Sequence, residues 1–157
     1  AMTGAITTNS TFDGVDIATR DAILTSTTTT AGAALPKAGG TMTGTLVAKV
    51  ATTATDTDTS NTGSITLDFA TNQNFVLTLT GNVTLANPST EQVGQSGFIA
   101  FIQDGTGSRT VSLGTDYETA AAAGLTLTAT ASATDLVPYL VVASNRILLG
   151  TPQLAFA

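Results

Sequence analysis

Residues Asn74–Ala86 read "NFVLTLTGNVTLA". Phe75, Leu77 and Leu79 recur at every second position, and Val83 and Leu85 resume the alternation beyond Gly81-Asn82. A period of two is the mark of a strand with one buried face, and a Gly-Asn pair between two such runs is a hairpin signal. The stretch therefore predicts a β-hairpin turning at Gly81-Asn82.

The surroundings carry the same texture. "SITLDFA" places Ile65, Leu67 and Phe69 on one face, and "LTLTATA" from Leu125 alternates again. "GFIAFIQ" is nearly continuous from Phe98 to Ile102, the pattern of a strand buried on both faces. "DGTGS" reads as a loop leading into "RTVSL", and "PYLVVASNRILLG" as a hairpin about Ser144-Asn145. About eight short strands separated by turn residues predict an antiparallel β-sandwich or jelly roll over 61–157.

Composition agrees with a mainly β chain. About one residue in five of the 157 is Thr, only 5% are aromatic, and Trp and Cys are absent. Charged residues make up 10%, against about 25% in an ordinary globular domain. Mean hydropathy of +0.29 with so few charges predicts apolar surface buried between subunits. The net charge of −6, with basic residues only at Arg20, Lys37, Lys49, Arg109 and Arg146, disfavours nucleic acid and anionic membrane as partners. No run approaches the roughly 18 to 20 apolar residues of a membrane span, so membrane insertion is not expected.

The first 60 residues have a different character. "AMTGAI" at 1–6 aligns with "TMTGTL" at 41–46, an offset of 40 residues that suits one supersecondary unit. The first copy lacks the leading "LPKAGG", so further repeats are expected upstream, with a tag remnant ahead of Met2 as the alternative. Between the copies, Ile17, Leu24 and Ala31 stand at heptad spacing, with Thr28 and Leu35 on a neighbouring stripe, and Asp13 or Asp16 could cap a helix. Thr27–Thr30 have poor helix propensity, so such a helix needs partners. A short parallel coiled coil fits 13–35, with an extended intertwined arm as the competing reading and packing on the chain's own β domain as another. Pro36 would stop the helix and Gly39-Gly40 would turn the chain. Thr45–Thr62 begins as a strand and becomes a polar Thr/Asp linker, with the domain boundary near Ser60 and domains at 1–60 and 61–157.

The segment "LPKAGGTMTG" resembles the repeat of bacteriophage tail fibres and related fibrous virion proteins. "LTGNVTLANP", "GQSGFIAFIQDGTGSRTVSLG" and "LVPYLVVASNRILLG" are similar to a module that ends many of them. The resemblance implies a homotrimer: a slender N-terminal stalk followed by the β domain, placed at the distal end of a longer fibre. It implies a virion component assembled in the host cytoplasm, contacting other tail or capsid proteins and a host surface glycan or protein. A capsid decoration or head-fibre protein is the alternative placement.

Candidate chemistry is thin. With no histidine and no cysteine there is no Ser-His or Cys-His pair and no histidine metal ligand. Asp116 and Glu118 in "GTDYET" lie two apart, on one face of a strand, where they could serve a glycan depolymerase as acid and base; a solvated acid pair is the favoured reading. Asp56, Asp58 and Ser60 superficially match a calcium loop, but Asn61 stands where the loop needs Gly and Leu67 where it needs Glu. "DGTGS" lacks the lysine and helix of a phosphate loop. No catalytic, cofactor or metal residue is therefore assigned. A non-enzymatic structural role is expected, with the loops Asp104–Ser108, Thr115–Ala123 and Ser144–Asn145 as the candidate receptor contacts.

Overall fold

The computed structural model describes residues 11–12, 15–33 and 44–156. The chain divides into two compact units, 1–49 and 50–157.

In the first unit, β1 (Thr11–Phe12) and β2 (Val15–Asp16) pair antiparallel, and α1 (Ile17–Ala33) follows. Over 17–33 of the 13–35 stretch the chain is helical, not an extended arm. The helix runs through the unfavourable Thr27–Thr30, where the Thr28 hydroxyl donates back to the Leu24 carbonyl at 2.9 Å. Ile23 and Leu24 are 60% and 66% exposed, so the helix has no apolar cover on these residues. Asp13, the side chains of Ile17 and Ala31, Leu35, Pro36, Gly39-Gly40 and both copies of the repeat up to Thr43 lie outside the described residues.

The second unit is one eight-stranded mixed sheet, curled around a single core. Its strands are β3 (Thr55–Ile65), β4 (Asn74–Leu85), β5 (Ser96–Gln103), β6 (Val111–Leu113), β7 (Tyr117–Glu118), β8 (Thr134–Ala143), β9 (Arg146–Leu149) and β10 (Gln153–Phe156). They are ordered β3-β4-β5-β8-β9-β7, with β6 also on β4 and β10 also on β8. β4 pairs in parallel with β3, β5 and β6, and β7 in parallel with β9; only β8 makes antiparallel pairs, with β5, β9 and β10. The antiparallel sandwich or jelly roll expected from the sequence is thus corrected to a mixed, open sheet.

The cause lies in the opening stretch. Asn74–Leu85 is one continuous strand, not a hairpin. Phe75, Leu77, Leu79, Val83 and Leu85 all face the core, so the alternation passes through Gly81 unbroken. Gly81-Asn82 is a bend at which β4 changes neighbours: Phe75–Leu79 pair with β5, and Val83–Leu85 pair with β6. A Cβ on Gly81 would collide with the Thr62 side chain on β3, so the close approach of the two strands at the bend requires glycine. Register shifts on β3 between Asp58, Asn61 and Gly63 mark the same corner.

This bend is what lets parallel neighbours be joined by short connections. Thr55 to Ile65 would span about 33 Å if straight, and the return to Asn74 turns at Asp68–Asn72, leaving too little chain to retrace that length. The strands must therefore coil. Leu67 and Phe69, expected on a strand, instead cross the core within this connection, both buried.

β3 is a further correction: the segment taken as a polar linker is an edge strand, and Ser60, where the boundary was expected, sits within it. Thr suits strands, and an edge with Asp56 and Asp58 needs no apolar face. Its one buried residue is Asn61, whose Nδ2 donates to the carbonyls of Asp58 and Thr78 at 3.1 Å each. Asn61→Ala is expected to lower stability by about 2 kcal/mol, read as a shift of the urea midpoint at constant slope, because both carbonyls lose this donor.

Two other segments differ. β5 is buried on one face only: Ile99, Phe101 and Gln103 point inward, while Phe98 is 46% exposed. "LTLTATA" is not a strand: Leu125 and Leu127 pack on the core, the Ala129 carbonyl accepts the Ser108 N–H at 2.8 Å, and the segment ends in a turn. The Ser144-Asn145 hairpin between β8 and β9 is present as expected, with Asn145 at φ +57°.

Candidate functional site

The pairing of β6 with the far half of β4 sets the site. Beyond β6 the chain turns at Gly114, whose N–H donates to the Leu85 carbonyl at 2.7 Å. The Asn87 side chain fixes the turn, donating to the Thr115 hydroxyl at 2.7 Å and accepting from the Asp116 N–H at 3.1 Å. β7 then lies along β9, and the Asp116 carbonyl accepts the Ile147 N–H at 2.7 Å. The loop after it is closed by the Thr119 hydroxyl, which accepts the Gly124 N–H at 2.9 Å. Within this loop Ala121 and Ala122 both have φ +54°, a left-handed conformation that disfavours each alanine by about 1 kcal/mol. Strain of this kind concentrates at ligand-binding segments.

Between these parts opens a groove of about 730 Å³. Val111, Leu113 and Leu125 give it apolar lining; Ser112, Thr115 and Thr119 give it hydroxyls; Glu118 gives it a carboxylate. The Thr115–Ala123 loop expected to contact a receptor thus forms much of its wall, whereas Asp104–Ser108 and Ser144–Asn145 do not line it.

Glu118 is held in a two-point pair by Arg146, Nε to Oε1 at 2.8 Å and Nη2 to Oε2 at 3.1 Å. The hydrogen-bonded guanidinium keeps its carboxyl below the usual range, so Glu118 is ionised and poorly suited to donate a proton. Asp116 is buried and does not line the groove, so the two carboxylates are not brought together there. Tyr117 beside them is buried with its hydroxyl unpartnered among the described residues, and burial above all, then the Glu91 and Asp116 charges, pushes its pKa up.

The other candidates engage their own chain. In "DGTGS" the Asp104 carboxylate accepts the N–H groups of Thr106 and Gly107 at 3.0 and 2.9 Å and the Arg109 guanidinium at 2.8 Å. The amides that would cradle a phosphate already hold a carboxylate. Gln103, buried beneath, exchanges two hydrogen bonds with the Arg109 backbone. Arg109 foremost lowers the Asp104 pKa from 3.8 to about 2. A depressed folded value means the contribution to stability is complete above the unfolded value and is lost as pH falls through about 2. Melting temperature is expected to drop between about pH 4 and 2, less steeply in Arg109→Ala. Asp58 uses its carboxylate on the Ser60 N–H at 3.0 Å, and no group of three or more acidic ligands gathers among the described residues.

Residues 61–143, more than half of the chain, match the family described as "Putative phage tail fibre C-terminal domain". No curated protein and no solved structure matches the chain. The "LPKAGGTMTG" repeat lies outside the matched span, which runs from within β3 to the end of β8 and includes all of the groove lining. The chain therefore belongs to this phage tail fibre C-terminal domain family and is a tail fibre protein of the virion.

Proposed function

We propose that this tail fibre chain acts without catalysis, as a homotrimer whose β unit holds an uncharged host-surface glycan in the groove beside the Thr115–Ala123 loop. The groove itself carries the reading. Apolar side chains with a few placed hydroxyls match the C–H faces and hydroxyls of a sugar, and the one carboxylate in the lining is neutralised by Arg146. The same ion pair supports a binding rather than a hydrolytic role, since it opposes protonation of Glu118. The trimer is supported by the exposed Ile23 and Leu24 of a helix rich in threonine, which gains stability by packing against copies of itself.

Labelled chain added to host cells is expected to bind, and Ser112→Trp, an exposed groove position, is expected to weaken binding about tenfold or more by filling the groove. Equal binding by Ser112→Trp would remove the groove from the reading. Binding that survives glycan removal but not protease treatment of the cells would make the receptor a protein. Release of sugar from host polysaccharide, abolished in Glu118→Gln, would replace adhesion by hydrolysis. Light scattering is expected to give three times the 15.7 kDa chain mass, and a stable monomer would defeat the trimer.

A further inference from the structure

The curled sheet has an apolar outer face as well as an apolar core. On β4, β5 and β8 the inward positions are filled by residues such as Phe75, Ile99 and Val137. Most of the alternating outward positions on β5 and β8 are apolar too, and Val76 of β4 joins them, while the other outward positions of β4 are Asn or Thr. Register places Val76 beside Ala100, Ala100 beside Leu136, Phe98 beside Pro138 and Leu140 beside Leu148, so these side chains form one patch across four strands. Phe98 and Leu140 are 46% and 43% exposed. None of the outward positions on β4, β5 and β8 is charged. Where strands of this chain do face water they use other residues: Asp56 and Asp58 on β3, Thr80 and Thr84 on β4. The face therefore carries the composition of a covered surface.

From this we infer that the outer face of β5 and β8, with Val76 and Leu148 at its margins, turns to the trimer axis and packs against the same face of the other two copies. The inference rests on the homotrimer reading and says which surface the copies share. Around a three-fold axis the residues nearest the axis meet their own counterparts, so in a chain of net charge −6 a shared contact is favoured where no charge stands; Arg146, the outward charge on β9, sits at the margin of the patch and is paired with Glu118. Size points the same way. Strand spacing gives the patch about 400 Å², at the threshold where an apolar patch marks an interaction site but short of the roughly 800 Å² per side that holds a free partner. Copies already joined through their N-terminal units meet at high effective concentration and need no larger contact.

The chain has no cysteine, so a single introduced thiol reports on the face. Phe98→Cys is compared with Thr126→Cys, an exposed position on none of the four strands. In the full purified chain, Phe98→Cys is expected to react with a thiol reagent about tenfold more slowly and to form interchain disulfides on oxidation. Leu140→Glu added to Phe98→Cys is expected to restore fast labelling with an unchanged circular dichroism spectrum. A trimer by light scattering in which both thiols label equally fast would overturn the shared face while leaving the trimer standing. A monomer would overturn both.

Discussion

Phe75→Ala is expected to lower stability by about 4 kcal/mol, the largest loss from any one truncation in this core. Phe75 is 1% exposed and stands in an aromatic cluster: its ring centroid lies 5.1 Å from Phe69 and 6.4 Å from Tyr139, and Phe69 and Tyr139 are 5.3 Å apart, edge to face. The three rings come from β4, from the connection that crosses the core, and from β8, so one substitution loosens all three. With six Phe, two Tyr and no Trp in the chain, few large side chains are available to fill the cavity. Since domain stabilities are typically about 5–15 kcal/mol, such a loss moves the urea midpoint far toward zero. A shift worth less than about 2 kcal/mol would mean that the cluster is not the centre of the core.

Asp135→Ala is expected to destabilise by about 3 kcal/mol, with the effect concentrated on β10. This carboxylate is 1% exposed and accepts the Thr128 N–H at 2.6 Å, the Thr128 hydroxyl at 2.8 Å and the Ala155 N–H at 2.8 Å. One side chain thus fastens both the strandless segment 125–131 and the final strand to β8. Without it two backbone donors lose a charged acceptor. Asp135→Asn keeps the shape but turns an amide NH₂ toward a donor, so about half the loss is expected. Amide hydrogen exchange at Gln153–Phe156 should accelerate in both variants; unchanged exchange there would show that β10 is held by its pairing with β8 alone.

The inward-facing residues were legible in the sequence, but the pairing was not. A two-residue turn at Gly81-Asn82 would set Thr80 opposite Val83 and Leu79 opposite Thr84, placing Leu79 and Val83 on opposite faces. The residues that fill the core instead keep odd numbers from Phe75 to Leu85, so the register itself speaks for one bent strand. β3 stayed hidden because an edge strand wetted on both faces carries no apolar period, only the β-branched preference of its threonines. In "GFIAFIQ" the continuous run reads as burial on both faces, but the core takes only one, because an apolar residue on the outer face of a curled sheet carries the same pattern. Of the site, the Thr115–Ala123 loop was named only as one of three loops, with nothing in its residues to rank it above Asp104–Ser108 or Ser144–Asn145. The groove was not legible, because it depends on β6 finding the far half of β4 and on Arg146 meeting Glu118 from 28 residues away.

The bend at Gly81-Asn82 also decides the order in which the sheet can form. Because β4 has only parallel neighbours, none of its ladders can zip outward from a tight turn, and each must wait for a connecting loop to close. The one tight antiparallel return in this sheet, at Ser144-Asn145, joins two of its later strands. Folding should therefore be slow, in the millisecond-to-second range of non-local β topologies, and late relative to synthesis of β4. Until β8 is made, a newly synthesised fibre chain presents unpaired apolar strands to its neighbours, and copies growing side by side are as much a hazard as an opportunity.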